Sequence, residues 1–368
     1  MSGPRWVKVA LAGAGATAAA ATAGAVVAER RVVKARRAAS ADADRLGGLR
    51  GDPVSVRTDD GLLLHAEVDE VAPYGDGSVG STARRRHRQD GPTIVFVHGY
   101  ALNLDCWHFQ REYFRGKHRM VFYDERSHGR SEKSDNQHAT IDQLGDDLLR
   151  VLEALVPEGP VVLVGHSMGG MSIMAFAERH REVFEKRVVG AALISTTAGG
   201  LKTHHLVSRL IPDSVGRQLA PRVVAALALA PGLVDRVRRR GSNVGFVVAG
   251  QFAFGQDVPA SYVEFLDNML AETSFEVLAQ FFPNFDALDK YSVLERFAGI
   301  PTYVITGTKD LLTSVELSRT MAARIPEAVL VECPGAGHMA ILEQKDRVNL
   351  ALEELFAAAA TGPAARVS

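Results

Sequence analysis

From residue 52 onward the chain is built of short runs of Val, Ile, Leu and Phe separated by amphipathic segments. "DPVSVRTDD" and "GLLLHAEVDE" mix apolar and polar positions, and predict two strands joined by a turn at Asp59-Asp60-Gly61. "PTIVFVHG" is apolar without alternation, as a strand buried on both faces of a parallel sheet should be. An amphipathic segment runs from Leu104 to Phe114, and then strands and helices take turns. "RMVFYDE" precedes a helix over 140–155, "PVVLVGHS" a helix over 169–184, and "VVGAALIST" follows as a further strand. Such alternation predicts a parallel α/β sheet with helices on its faces.

The rhythm breaks between about 199 and 290, where helix-like stretches are interrupted by Pro and Gly and no buried strand is evident. It resumes with "IPTYVITGTKD", a helix over 313–325, "AVLVECPGAGH" and a final helix over 340–359. The pattern therefore divides into an Ala-rich segment and linker (1–50), a first part of the sheet domain (51–198), a helical insertion (199–289) and a second part of the sheet domain (290–368). Within the first part, the Gly/Ser/Arg-rich stretch 72–91 is expected to be an exposed excursion. No internal repeat is present.

Composition changes this picture only at the N-terminus. With 46% hydrophobic residues, 23% charged residues and a net charge of -1, the 368-residue chain reads as an ordinary globular protein with no call on nucleic acid. Short basic runs such as "ARRRHR" lack interleaved aromatics and read as solvated or membrane-flanking charge. Two cysteines, Cys106 and Cys333, lie far apart and predict buried structural thiols in a reducing compartment. Residues 6–28, "WVKVALAGAGATAAAATAGAVVA", are long enough to span a bilayer but weakly apolar. Arg30, Arg31, Lys34, Arg36 and Arg37 outweigh Arg5 and Lys8, which favours a membrane association with the catalytic domain on the cytoplasmic side. Export, with "AGA" or "VVA" as a cleavage site, and a soluble, disordered or helical Ala-rich tail are the alternatives.

The candidate chemistry centres on "VVLVGHSMGG". Gly165-His166-Ser167-Met168-Gly169 fits G-x-S-x-G between a strand and a helix, a turn that exposes the serine hydroxyl above the sheet. The helix N-terminus beneath it favours an anionic intermediate. A serine needs a base to take its proton, and the base needs an acid to hold its tautomer. Asp310 ends one later apolar strand and His338 lies beyond the next, in "GAGH"; of the twelve histidines His338 alone lies beyond the last strand in a Gly-rich loop. Two backbone donors for an oxyanion are expected from Met168, which follows the nucleophile, and from Tyr100, where Gly99 lets the "HGY" loop turn. His98 is expected to brace that loop.

These motifs together resemble the α/β-hydrolase superfamily, in its serine-nucleophile branch with a helical cap. The similarity rests on His98-Gly99-Tyr100, "DERSHGRS" at 124–131, "GHSMGG", Asp310 and "GAGH". Ser127 stands where the family usually has glycine. The resemblance implies an α/β-hydrolase fold and an acyl-enzyme mechanism on a carboxylic ester, with Ser167, Asp310 and His338 as the triad and no cofactor or metal. Carbon–carbon hydrolysis, perhydrolysis and acyl transfer use the same machinery, and a non-catalytic small-molecule receptor is a rival from another class. The family's epoxide hydrolases and haloalkane dehalogenases carry an aspartate at the position of Ser167, so neither activity is expected. The insertion holds Phe246, Phe252, Phe254, Phe265, Phe275, Phe281, Phe282 and Phe285 and no matched arginine cluster, which favours a small to medium hydrophobic ester over a peptide or sugar.

Overall fold

A computed structural model describes residues 46–72, 91–201 and 253–361. The segment 6–28, most of the stretch 72–91, and Phe246 and Phe252 lie outside the described residues. Eight strands form one sheet: β1 (Asp52–Arg57), β2 (Leu63–Asp69), β3 (Thr93–Val97), β4 (Met120–Tyr123), β5 (Val161–His166), β6 (Val188–Ile194), β7 (Thr302–Gly307) and β8 (Val329–Cys333). Their order across the sheet is β1-β2-β4-β3-β5-β6-β7-β8. β1 and β2 pair antiparallel, β2 meets β4 antiparallel, and every later pairing is parallel. Parallel neighbours need crossovers, and the helices supply them.

The non-alternating strands are explained by what covers them. Val95, Val97, Val121 and Leu163 enter one apolar core, whereas Ile94, Phe96, Phe122, Val162 and Val164 enter a second on the opposite face. The first core is closed by α2 (Ile141–Leu155) and α3 (Met168–Arg179), the second by α1 (His108–Phe114) and α9 (Lys345–Thr361). The Thr140 side chain caps α2 by accepting from the Gln143 N–H. Gly145 lets α2 approach α3 closely, because a Cβ there would lie 2.7 Å from the Phe176 nitrogen.

Two predicted helices are interrupted. The stretch expected as one helix over 169–184 is α3 followed by α4 (Arg181–Arg187), because His180 takes a non-helical ψ of 49°. The stretch expected over 340–359 divides at Gln344, with ψ of 48°, into α8 (Ala340–Glu343) and α9. A 3-10 turn, Leu104–Trp107, likewise precedes α1 in the predicted amphipathic segment. Cys106 and Cys333 are both buried and free.

The described part of the insertion between β6 and β7 is helical, with α5 (Ala260–Glu272) and α6 (Phe275–Ala287). Its phenylalanines are divided between the two cores: Phe254 and Phe265 join one, Phe281 and Phe285 the other. α7 (Val315–Arg324) follows β7. Among the described residues no helix is long and apolar enough to cross a membrane.

Candidate active site

Because β3 and β5 to β8 run parallel, the loops leaving their C-terminal ends gather at one edge of the sheet. Ser167 occupies the turn between β5 and α3 with φ 52° and ψ -117°, a conformation L-residues rarely adopt. The surrounding glycines make room for it. A Cβ at Gly165 would sit 2.6 Å from the Gly169 oxygen, and one at Gly169 would sit 2.1 Å from the Val97 oxygen. Neither contact is possible, so both positions of the motif require glycine. Ser167 is half-buried, and its N–H donates to the Ile194 oxygen at 2.9 Å, which ties the turn to β6.

Asp310 and His338 meet across the loops that follow β7 and β8. His338 Nδ1 lies 2.9 Å from Asp310 Oδ2, with both side chains buried. A carboxylate only accepts, so the ring proton sits on Nδ1 and the lone pair of the neutral ring on Nε2. Asp310 is held independently. Its Oδ1 accepts from the Leu312 and Thr313 N–H groups at 2.8 and 2.9 Å, and its Oδ2 from the Thr313 hydroxyl at 2.8 Å. Burial opposes its ionisation, but the His338 ring and the Thr313 donors together hold its carboxyl below the ordinary value. The turn it organises precedes α7, whose own N-cap is Ser314.

Other residues link these loops to the serine turn. His166, next to Ser167, donates from Nε2 to the His338 backbone oxygen at 3.0 Å, and the two rings lie 5.0 Å apart. That contact ties the histidine loop to the turn carrying Ser167. Met168 opens α3, so its N–H belongs to the first turn, which has no intrahelical partners. Gly99 packs against the same turn: a Cβ there would lie 3.1 Å from Ser167 Cβ. Tyr100, the next residue, sends its hydroxyl into the insertion, donating to the Leu278 oxygen on α6 at 2.5 Å. His98 uses both ring nitrogens on backbone. Its Nε2 accepts from the Glu125 N–H at 2.8 Å, and Nδ1 therefore donates to the Gly99 oxygen at 2.8 Å. Burial drives its pKa down to about 3, so it stays neutral at physiological pH.

Two further residues support this pair. Thr313 fixes Asp310 as described. Glu343 on α8 accepts from the Gly337 N–H at 2.6 Å and from the Gly255 N–H at 3.0 Å, clamping the histidine loop to the insertion. Its position in the chain says nothing of this, since the partners lie six and eighty-eight residues away. Ser127, at the position expected to be glycine, does take a left-handed φ of 67°, and its hydroxyl accepts from the Ser134 N–H at 2.8 Å.

The strand order and the strained serine turn after the fifth strand are those of an α/β hydrolase. The chain belongs to the alpha/beta hydrolase family, whose model matches residues 94–351. It is 28% identical over 268 residues to 3-oxoadipate enol-lactonase 2 of Acinetobacter baylyi, covering 73% of this chain and 89% of that one. Among solved structures, an enol-lactonase from Burkholderia xenovorans LB400 superposes with a TM-score of 0.61 at 23% identity, over 83% of this chain and 100% of that one. A thermophilic esterase from Thermogutta terrifontis gives 0.58 at 22% identity, over 84% and 99%. At these identities the superpositions speak to fold.

Proposed function

We propose that this α/β hydrolase cleaves a small to medium hydrophobic carboxylic ester through an acyl-enzyme on Ser167. What supports the reading is the strained Ser167 turn, tied through His166 to the loop that carries the buried Asp310–His338 pair. His338, oriented by Asp310, removes the Ser167 proton as the oxygen attacks the substrate carbonyl. The N–H groups of Met168 and Tyr100 receive the oxyanion, each worth about 3 to 4 kcal/mol of transition-state stabilisation. His338 then protonates the departing alcohol and activates the water that releases the acid. The insertion serves as a cap over this site, and its apolar composition suits an uncharged acyl or alcohol group. The similarity to an enol-lactonase adds cyclic esters to the substrates worth trying.

The test is hydrolysis of p-nitrophenyl esters of increasing acyl length, with a lactone series beside them, by the full chain and by Ser167→Ala. Ser167→Ala is expected to lower kcat by about 10⁶-fold. Retention of a tenth of the wild-type rate would sink the assignment of the nucleophile.

A further inference from the structure

Behind the turn that carries Ser167 lies a buried hydroxyl that the mechanism above does not use. Thr196, two residues beyond the end of β6, is fully buried, and its Oγ1 donates to the Ser167 backbone oxygen at 2.7 Å. It reaches that oxygen because Ser195 turns the chain through a left-handed φ of 45°. Its side chain fills the space left open at Gly170, where a Cβ would lie 2.6 Å from Thr196 Cγ2 and 2.7 Å from Oγ1.

The Ser167 C=O and the Met168 N–H are opposite ends of one planar trans peptide, so a bond that fixes the oxygen also fixes the direction of the N–H. Hydrogen bonds in series also polarise one another, which makes the far donor stronger. The second donor has the same construction. The Gly99 C=O and the Tyr100 N–H share a peptide, and His98 donates to that oxygen. Each of the two oxyanion peptides is thus held from its carbonyl end by a buried side-chain donor, one from the loop after β3 and one from the loop after β6.

On the serine-nucleophile reading given above, we infer that Thr196 is a positioning residue for ester cleavage, aiming and polarising the Met168 N–H through the Ser167 carbonyl. It touches no substrate atom. Its contribution belongs to the charged transition state, where the N–H must meet a full oxyanion, and is small in the ground state.

Thr196→Val keeps the shape and removes the hydroxyl. The Ser167 oxygen retains the Gly170 N–H at 3.0 Å, so no buried acceptor is orphaned and the variant should fold with a Tm close to that of the wild type. Kinetics on a p-nitrophenyl ester, with a trifluoromethyl ketone as oxyanion-forming inhibitor, should show kcat reduced about 3- to 10-fold. KM should change less than twofold, inhibitor affinity should fall in parallel with kcat/KM, and Thr196→Ser should restore both. Unchanged kcat and inhibitor affinity in Thr196→Val would overturn the inference, as would a Thr196→Ser variant no better than Val, which would indicate packing alone. Ser167→Ala assayed in the same experiment separates the two levels. Activity that survives it overturns the nucleophile reading and this inference together, whereas Ser167-dependent activity indifferent to Thr196 overturns this inference alone.

Discussion

Arg126 offers the sharpest test of how the loop after β4 is held. Its guanidinium is fully buried and grips Asp147 on α2 with two bonds of 2.6 and 2.7 Å. It also reaches Asp60 in the β1–β2 turn at 3.0 and 3.2 Å and the Ser134 hydroxyl at 3.1 Å. Burial pushes the Asp147 carboxyl up, and Arg126 pulls against it. Arg126→Met removes the pull and leaves the burial. Breaking one side of such a pair costs about 3–5 kcal/mol, a large part of the roughly 5–15 kcal/mol by which a domain is stable. Asp60 adds little to that sum, because it is partly exposed and water can replace the arginine. The penalty should carry a pH signature. In the variant Asp147 has a folded pKa raised further above its ordinary value of 3.8, so the native state regains stability as pH falls toward that value. The limiting slope is about 1.4 kcal/mol per pH unit. Urea unfolding followed by the fluorescence of buried Trp107 at pH 7.5 and 5.5 should show the deficit narrowing on acidification. The double variant Arg126→Met/Asp147→Leu should recover most of it, since no orphaned charge remains. A single-variant cost below about 1 kcal/mol, or a double variant no better than the single, would refute the argument that the loss is a stranded buried charge.

Ser127 holds a left-handed φ and accepts one backbone N–H, so Ser127→Gly exchanges relief of about 1 kcal/mol of strain for a lost bond and added chain entropy. It should stay within about 1 kcal/mol of wild type, while Ser127→Ala loses the bond and keeps the strain; a thermal-shift assay ranking Ala above Gly would contradict this. Glu125 is fully buried with Oε2 unpartnered, and burial pushes its carboxyl well up despite the Ser172 hydroxyl on Oε1 at 2.8 Å. The unfolded chain ionises above about 4.5 while the native state stays protonated, so this group destabilises the fold as pH rises. Glu125→Gln should gain on wild type by up to about 1.4 kcal/mol per pH unit between pH 5 and 7, and a stability difference that is flat with pH would show the acid is ionised in place. Asp310→Asn should cut kcat about 10⁴-fold by misplacing the His338 ring proton, and near-normal turnover would remove Asp310 from the mechanism.

What the sequence disclosed was whatever depends on near neighbours. A run of four β-formers, two glycines around a serine and a helix behind them sufficed to locate the Ser167 turn, because strand, strain relief and helix start are all encoded within about ten residues. Asp310 and His338 were singled out by their places after apolar strands, and the fold brings their side chains within 2.9 Å of each other. The placement of β4 between β2 and β3 was not legible, since register between strands far apart in sequence is decided by packing. The breaks at His180 and Gln344 were missed because neither residue is a strong helix breaker, so nothing local marks the non-helical ψ each one takes. Glu343 was invisible because its partner Gly255 lies eighty-eight residues away, and the Thr196 bond to the Ser167 oxygen spans twenty-nine residues, so only the fold brings these atoms near.

The insertion is attached to the loops of Tyr100 and His338 largely through its main chain. The Met339 N–H donates to the Ala253 oxygen at 3.0 Å, Glu343 bridges the N–H groups of Gly337 and Gly255, and the Tyr100 hydroxyl reaches the Leu278 oxygen. On the insertion's side all of these partners are backbone atoms, which any side chain at those positions would supply. Gly255 is the exception, because a Cβ there would lie 2.5 Å from the Gly335 oxygen. Side chains contribute as well: the Phe285 ring meets the Tyr100 ring edge-on at 5.0 Å, and Glu272 Oε2 accepts from Asn103 Nδ2 at 2.8 Å. On the reading proposed above, the loop of His338 is held by main-chain bonds at Ala253 and Gly255, whereas the loop of Tyr100 also depends on the side chains of Phe285 and Glu272.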